Sequence, residues 1–139
     1  MFKLFKGKTK TVQLPVTPST AIAEGALVAF SSGYLIAATS STAPESIAGV
    51  LVKAIAATDS DYASARTVAV DVPTEVGTVW TADVTSGLVA ADVGLYQDLT
   101  DSVTVNRGAS TYDVVKCVGV ISTTKGLFEL NIGTFADAK

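Results

Sequence analysis

The chain has 139 residues, 48% of them hydrophobic and only 17% charged, with a formal charge of −3. That length makes one domain, able to bury roughly two-thirds of the surface of its unfolded chain without a disulfide staple, and the single cysteine, Cys117, has no internal partner. The absence of histidine excludes any Ser-His-Asp or Cys-His arrangement, and no apolar run approaches the ~18 residues of a membrane span.

Charge is divided unevenly along the chain. Lys3, Lys6, Lys8 and Lys10 stand in the first ten residues without an acid, whereas from residue 11 on six basic residues face thirteen acidic ones. An acidic body argues against nucleic-acid binding, because phosphate is repelled. Met1 to Lys8 lacks the apolar core and cleavage site of a secretory signal, so synthesis in the cytoplasm without a signal peptide is expected. Residues 1–11 are expected to form an extended basic and apolar arm. Three readings of it stay open: a frayed terminus, an arm docking on a partner through Phe2, Leu4 and Phe5, and a membrane-surface segment, for which it is short.

Thr11 to Leu14 starts the first predicted strand, and Pro15 and Pro18 hold the chain extended while removing two ladder donors. Ala26 to Phe30, a turn at Ser31-Ser32-Gly33, and Tyr34 to Ala38 read as a hairpin. Thr39 to Ser46 is a loop, and Ile47 to Ile55 is an apolar strand covered on both faces. Residues 56–66 are the one region where a short helical turn is expected, capped by Thr58 or Asp59. Valines 68, 70 and 72 alternate with Thr67, Ala69 and Asp71, so Thr67 to Pro73 is a half-buried strand. Gly77 relaxes the chain before Val79 to Val84, where Trp80 is expected to anchor the core. Val93 to Gln97 is a predicted strand, Asp98 to Asp101 a turn, Ser102 to Asn106 an extended segment and Tyr112 to Ile121 a long strand. In the last strand Phe128, Leu130 and Ile132 share one side. The expected core anchors are Val68, Val70, Val72, Trp80, Val118, Val120 and Phe128.

Nine to eleven short strands separated by turn signals predict an all-β fold, a compact β-barrel or sandwich with at most one short helix. The domain is expected over residues 12–135, with a tail at 136–139. Residues 24–55 and 92–122 resemble each other: an acid-plus-glycine turn, two strands, and an apolar strand centred on Gly49 or Gly119. A chain this apolar is also suited to burying part of its surface against a partner.

The search for chemistry finds little. Asp59-Ser60-Asp61 and Asp98-Leu99-Thr100-Asp101 place carboxylates in loops without the spacing of a calcium loop, and Asp71, Glu75 and Asp83 read as a solvated face. Ser122-Thr123-Thr124-Lys125 has Ser-x-x-Lys spacing but links two strands instead of starting a helix. The glycines are scattered singly, as in turns and bulges, with no phosphate-cradling loop. No metal, cofactor or enzymatic activity is expected.

Four stretches carry a family resemblance: Val12 to Pro18, Glu24-Gly25-Ala26-Leu27-Val28, Gly33-Tyr34-Leu35-Ile36-Ala37-Ala38, and Ile47-Ala48-Gly49-Val50-Leu51. Over roughly residues 11–132 the chain resembles the small head decoration (capsid cement) proteins of tailed bacteriophages. In that family the Ile-Ala-Gly-Val type of strand follows an extended loop in a compact β domain. The resemblance implies a non-enzymatic virion protein that clusters, commonly as a homotrimer, on the outer surface of an icosahedral capsid and locks subunits of the major capsid protein. Phe2, Lys3, Leu4, Phe5, Lys6, Lys8 and Lys10 are then expected to meet the shell, with neither nucleic acid nor membrane as a partner. The lysine-rich start departs from the better-known members, which often carry a disordered Thr- and Pro-rich tail there. The alternative is a β-barrel binding module of a surface fibre or appendage, recognising carbohydrate or protein. One tryptophan, four tyrosines and two asparagines are few for a sugar site. A small hydrolase using Asp71 or Asp83 is the least favoured reading.

Overall fold

The computed structural model describes residues 1–64 and 66–131. Their regular structure is eleven strands and two three-residue 3₁₀ turns, Pro44–Ser46 and Ala90–Asp92. In chain order the strands are β1 (Lys3–Lys6), β2 (Thr9–Pro15), β3 (Leu27–Ser31), β4 (Tyr34–Ala37), β5 (Ile47–Leu51), β6 (Thr67–Pro73), β7 (Val79–Val84), β8 (Tyr96–Asp101), β9 (Thr104–Asn106), β10 (Val115–Ser122) and β11 (Lys125–Leu130). The expected all-β class is what forms, a closed five-strand barrel plus a second sheet. Residues 56–64 make turns instead of a helix, and Asp59 turns back to accept the Ala56 N–H at 3.1 Å.

The strands divide into two units of identical order. β7, β11, β10, β8 and β9 close into a barrel because β9 pairs in parallel with β7. The sheet β2-β6-β5-β3-β4 repeats that order, and it curls until Val16, just beyond β2, bridges in parallel to Leu35 of β4. Equivalent backbone hydrogen bonds set the register: the Thr17 N–H donates to the Leu35 carbonyl at 3.0 Å, and the Thr85 N–H to the Val105 carbonyl at 3.1 Å. Gly25 and Leu51 N–H groups donate to Leu51 and Ala26 carbonyls, as Gly94 and Cys117 donate to Cys117 and Leu95. Leu51 therefore matches Cys117, and Gly49 matches Val115, not the Gly119 expected from the glycine spacing. A Cβ at Gly49 would lie 2.4 Å from the Asp71 carbonyl oxygen, so close strand contact demands glycine there.

Each unit has its own core. Val28, Leu35, Leu51, Val70 and Val72 fill the curled sheet, with the half-buried Val68 packed against them. Trp80, Leu99, Val105, Cys117 and Phe128 fill the barrel, where Leu27, Ala29, Ile47 and Val50 from the first unit also pack. Val118 is only half-buried and Val120 is 38% exposed. The register of β10 shifts between Cys117 and Gly119, which sets Val118 beside Leu127 and Glu129 at a surface groove and leaves Val120 opposite Gly126 near the hairpin end. The expected turn at Asp98–Asp101 is instead part of β8. Asp98 lies on the side of β8 opposite the core residue Leu99, and there it accepts the Thr111, Tyr112 and Asp113 N–H groups at 3.0, 2.8 and 2.8 Å. Ile132, the rest of the domain to residue 135 and the expected tail at 136–139 lie outside the described residues.

Candidate interaction surface

The first eleven residues are two strands. β1 pairs antiparallel with β7, Lys3 opposite Thr81 and Leu4 opposite Trp80, and β2 pairs with β6 along its whole length, from Thr9–Pro73 to Pro15–Thr67. Phe2 is 2% exposed and belongs to the barrel core, its N–H donating to the Gly25 carbonyl at 2.7 Å. Phe2 is thus an anchor and presents nothing to a partner. The reason is topological: β7 offers an open edge beside Trp80, and burying a phenyl ring there removes it from water. Gly7, at φ +106°, makes the corner between β1 and β2, where a Cβ would come 2.6 Å from Thr78 Cα.

The other residues of that segment remain on the surface. Leu4 and Phe5 are exposed, Phe5 by 55%, and Lys3, Lys6, Lys8 and Lys10 surround them. Among the described residues none of these four lysines is in an ion pair; the pairs formed are Met1 amine–Asp83, Lys125–Asp83, Arg107–Asp92, and Arg66 with both Asp59 and Asp61. Phe5 and Lys6 border a groove of about 260 Å³ whose floor is Val79, Val118 and Leu127. The strand therefore displays apolar side chains between free cations, on a rigid support. Lysines on an exposed edge strand also discourage indiscriminate strand pairing.

Among the described residues no catalytic constellation accompanies it. A cavity of about 400 Å³ is lined by Gln13, Lys53, Asp59, Asp61, Arg66 and Thr67. Arg66, Asp59 and Asp61 are engaged with one another there: the Arg66 guanidinium, then the Ala56 N–H, holds the Asp59 carboxyl below the usual range, and Asp59 in turn raises Arg66. Asp83 is lowered by the Met1 amine. Asp71 accepts the Thr11 hydroxyl at 2.7 Å. Burial pushes the Cys117 thiol up, away from the thiolate a nucleophile needs. Ser122 and Lys125 are cross-strand partners in a tight hairpin, which disposes of the Ser-x-x-Lys spacing as a site. Among the described residues no group of three or more His, Cys, Asp or Glu side chains converges as a metal site, and no helix is long and apolar enough to cross a membrane.

A second exposed apolar group escaped the sequence reading. Val89, Val93 and Leu95 are exposed around the Ala90–Asp92 turn, and Ile121 is exposed on β10. The segment from Leu88 to Leu95 is fastened to β10 and its hairpin at both ends, by the Leu88 N–H to the Thr123 carbonyl and the Cys117 N–H to the Leu95 carbonyl. The Val89 N–H and, secondarily, Arg107 hold Asp92 inward and depress its carboxyl pKa. The run Val-Ala-Ala-Asp-Val-Gly-Leu was the available signal, hidden because its apolar residues read as strand core.

No protein-family model matches this chain, and no curated protein matches it.

Proposed function

We propose that this protein is a non-enzymatic decoration protein of a tailed-bacteriophage virion, bound to the outside of the icosahedral capsid as a small homo-oligomer, a trimer, where it bridges subunits of the major capsid protein. The observation that carries the reading is β1: Leu4 and Phe5 exposed between unpaired Lys3, Lys6, Lys8 and Lys10, on a strand clamped to the barrel by its pairing with β7 and by Phe2. Such a strip suits an acidic protein surface with an apolar centre, and pre-ordering it lowers the entropy cost of docking. The sequence resemblance to capsid cement proteins supplies the shell as partner.

Co-sedimentation with capsids of the cognate phage, expanded and unexpanded, tests this. The wild-type chain is expected to pellet with expanded shells, more weakly as salt rises, and a Phe5→Asp, Lys6→Glu variant to stay in solution while keeping its melting temperature. Absence of the wild-type chain from both kinds of shell, or undiminished binding of the variant, overturns the proposal. The other class, an appendage module that binds carbohydrate, is favoured by Phe30 and Tyr34, both exposed beside the β3–β4 turn; a glycan array reads it directly.

A further inference from the structure

The repeated backbone lets each buried side chain of one unit be set against its counterpart in the other. The Ala26 N–H donates to the Ala23 carbonyl at 3.2 Å and the Leu95 N–H to the Asp92 carbonyl at 3.0 Å, so Ala23 matches Asp92. Val28 pairs with Gly49 as Gln97 pairs with Val115, so Val28 matches Gln97. Both positions are apolar in the first unit, and Val28 is fully buried in its core. In the second unit a carboxylate and an amide stand there, 5% and 2% exposed. Asp92 is satisfied, its Oδ2 accepting the Val89 N–H at 2.9 Å and the Arg107 Nε–H at 3.0 Å. Gln97 is left without such a partner, for its buried Oε1 accepts no hydrogen bond from the described residues. An unpaired buried amide destabilises a fold that a valine would serve, as the first unit demonstrates.

Both side chains border one cavity of about 150 Å³, where residues 92–97 meet the loop after β9, and Leu95, Tyr96, Gly108 and Ser110 complete its wall. We propose that this cavity binds a single neutral sugar residue, held by Gln97 and Asp92. Pockets for drug-sized ligands measure roughly 300–1,000 Å³, so the occupant is smaller than those. A sugar hydroxyl can donate to the Gln97 carbonyl oxygen or to Asp92 and accept from the Gln97 amino group or the Ser110 hydroxyl. The last torsion of a glutamine side chain is soft and two-fold, so a turn of the amide brings either of its ends to the cavity. Tyr96, 42% exposed, offers an aromatic surface to the C–H groups of the sugar. Charge selects a neutral ligand: Arg107 and the Lys116 ammonium, 5.8 Å from the Tyr96 ring centre, oppose a free cation, and Asp92 opposes a free anion. Few aromatic and carboxamide side chains are available in the chain, and this site uses one of each. It involves neither β1 nor a capsid, so it stands or falls separately from shell binding.

Titrating the isotope-labelled full chain with the methyl glycosides of glucose, galactose and N-acetylglucosamine, and with glycerol as a free polyol, tests the site by NMR. At least one glycoside is expected to shift the Gln97 side-chain amide pair and the backbone amides of 92–97 and 107–110 in a saturable way, with glycerol acting more weakly. Gln97→Val, which gives the second unit the first unit's side chain, is expected to abolish the response while leaving the melting temperature equal or higher. Ser110→Ala, on the exposed rim, is expected to weaken the response several-fold without disturbing the fold. No shift with any glycoside, shifts confined to Phe30 and Tyr34, glycerol as strong as every glycoside, or an undiminished response in the folded Gln97→Val chain overturns the proposal. A Gln97→Val chain that melts lower marks the amide as a structural group and overturns it as well.

Discussion

Position by position, the outer faces of the two units carry opposite chemistry on the same backbone. Leu27, Ala29 and Val50 on the first correspond to Tyr96, Asp98 and Lys116 on the second. The first three are buried against the barrel core, whereas Tyr96 is 42% exposed with the Lys116 ammonium 5.8 Å from its ring centre, and Asp98 is buried only because three backbone N–H groups satisfy it. A strand order can therefore be repeated without repeating its surface. What decides the side chain is whether another layer covers it, since an uncovered apolar face and a covered, unpaired polar one are both costly.

Breaking the cores first gives the largest effect. Phe128 and Val70 are equivalent, each paired across to the third-strand partner of its unit. Phe128→Ala is expected to cost about 3–5 kcal/mol, and Val70→Ala about 2 kcal/mol, in denaturant unfolding. Both should shift one shared transition, because Leu27, Ile47 and Val50 belong to the barrel core; two separate transitions would show that the units are independent. The face comparison comes next: Leu27→Ala is expected to cost about 3 kcal/mol, and Tyr96→Ala, which loses only an exposed ring and its cation–π contact, about 0.5–1 kcal/mol. Equal costs would mean that the second face is covered too.

A pH-dependent effect concerns Asp92, which the first unit lacks, having Ala23 there. Its carboxyl pKa is depressed in the folded state by the Val89 N–H and then by Arg107. The stabilisation is therefore complete above the ordinary carboxylate value near ~4 and is lost as pH falls through the lower folded value. Asp92→Asn is expected to cost about 1–2 kcal/mol at neutral pH and to flatten the acid limb of melting temperature against pH. An acid limb identical to that of the wild type would assign the pH dependence elsewhere.

Legibility followed the range of the interactions. The alternation of Val68, Val70 and Val72 and of Phe128 and Leu130 was readable because one strand face is buried throughout and the period of two is local. Val118 and Val120 leave the core because the register of β10 shifts between Cys117 and Gly119, a bulge that a strand apolar on both sides does not announce. β1 was missed as a strand because its partner, β7, lies more than seventy residues away and nothing within Met1 to Lys10 announces it. Asp98 read as a turn for a similar reason: its partners at 111–113 come from a distant loop. The exposure of Val89, Val93 and Leu95 was hidden because an apolar run reads as strand core, and only the long-range bonds of Leu88 to Thr123 and Gly94 to Cys117 make it a surface segment.

The pairing of β1 with β7 also dictates an order of events during synthesis. Residues 9–73 leave the ribosome as a complete set for the curled sheet, but the edge that receives Lys3–Lys6 does not exist until Val79–Val84 has been made. Until then Phe2 has no core to enter. Residues made before the whole curled sheet are thus among the last to be placed, by a long-range closure of the kind that slows folding. A half-made or half-folded copy consequently has no finished strand to offer a partner.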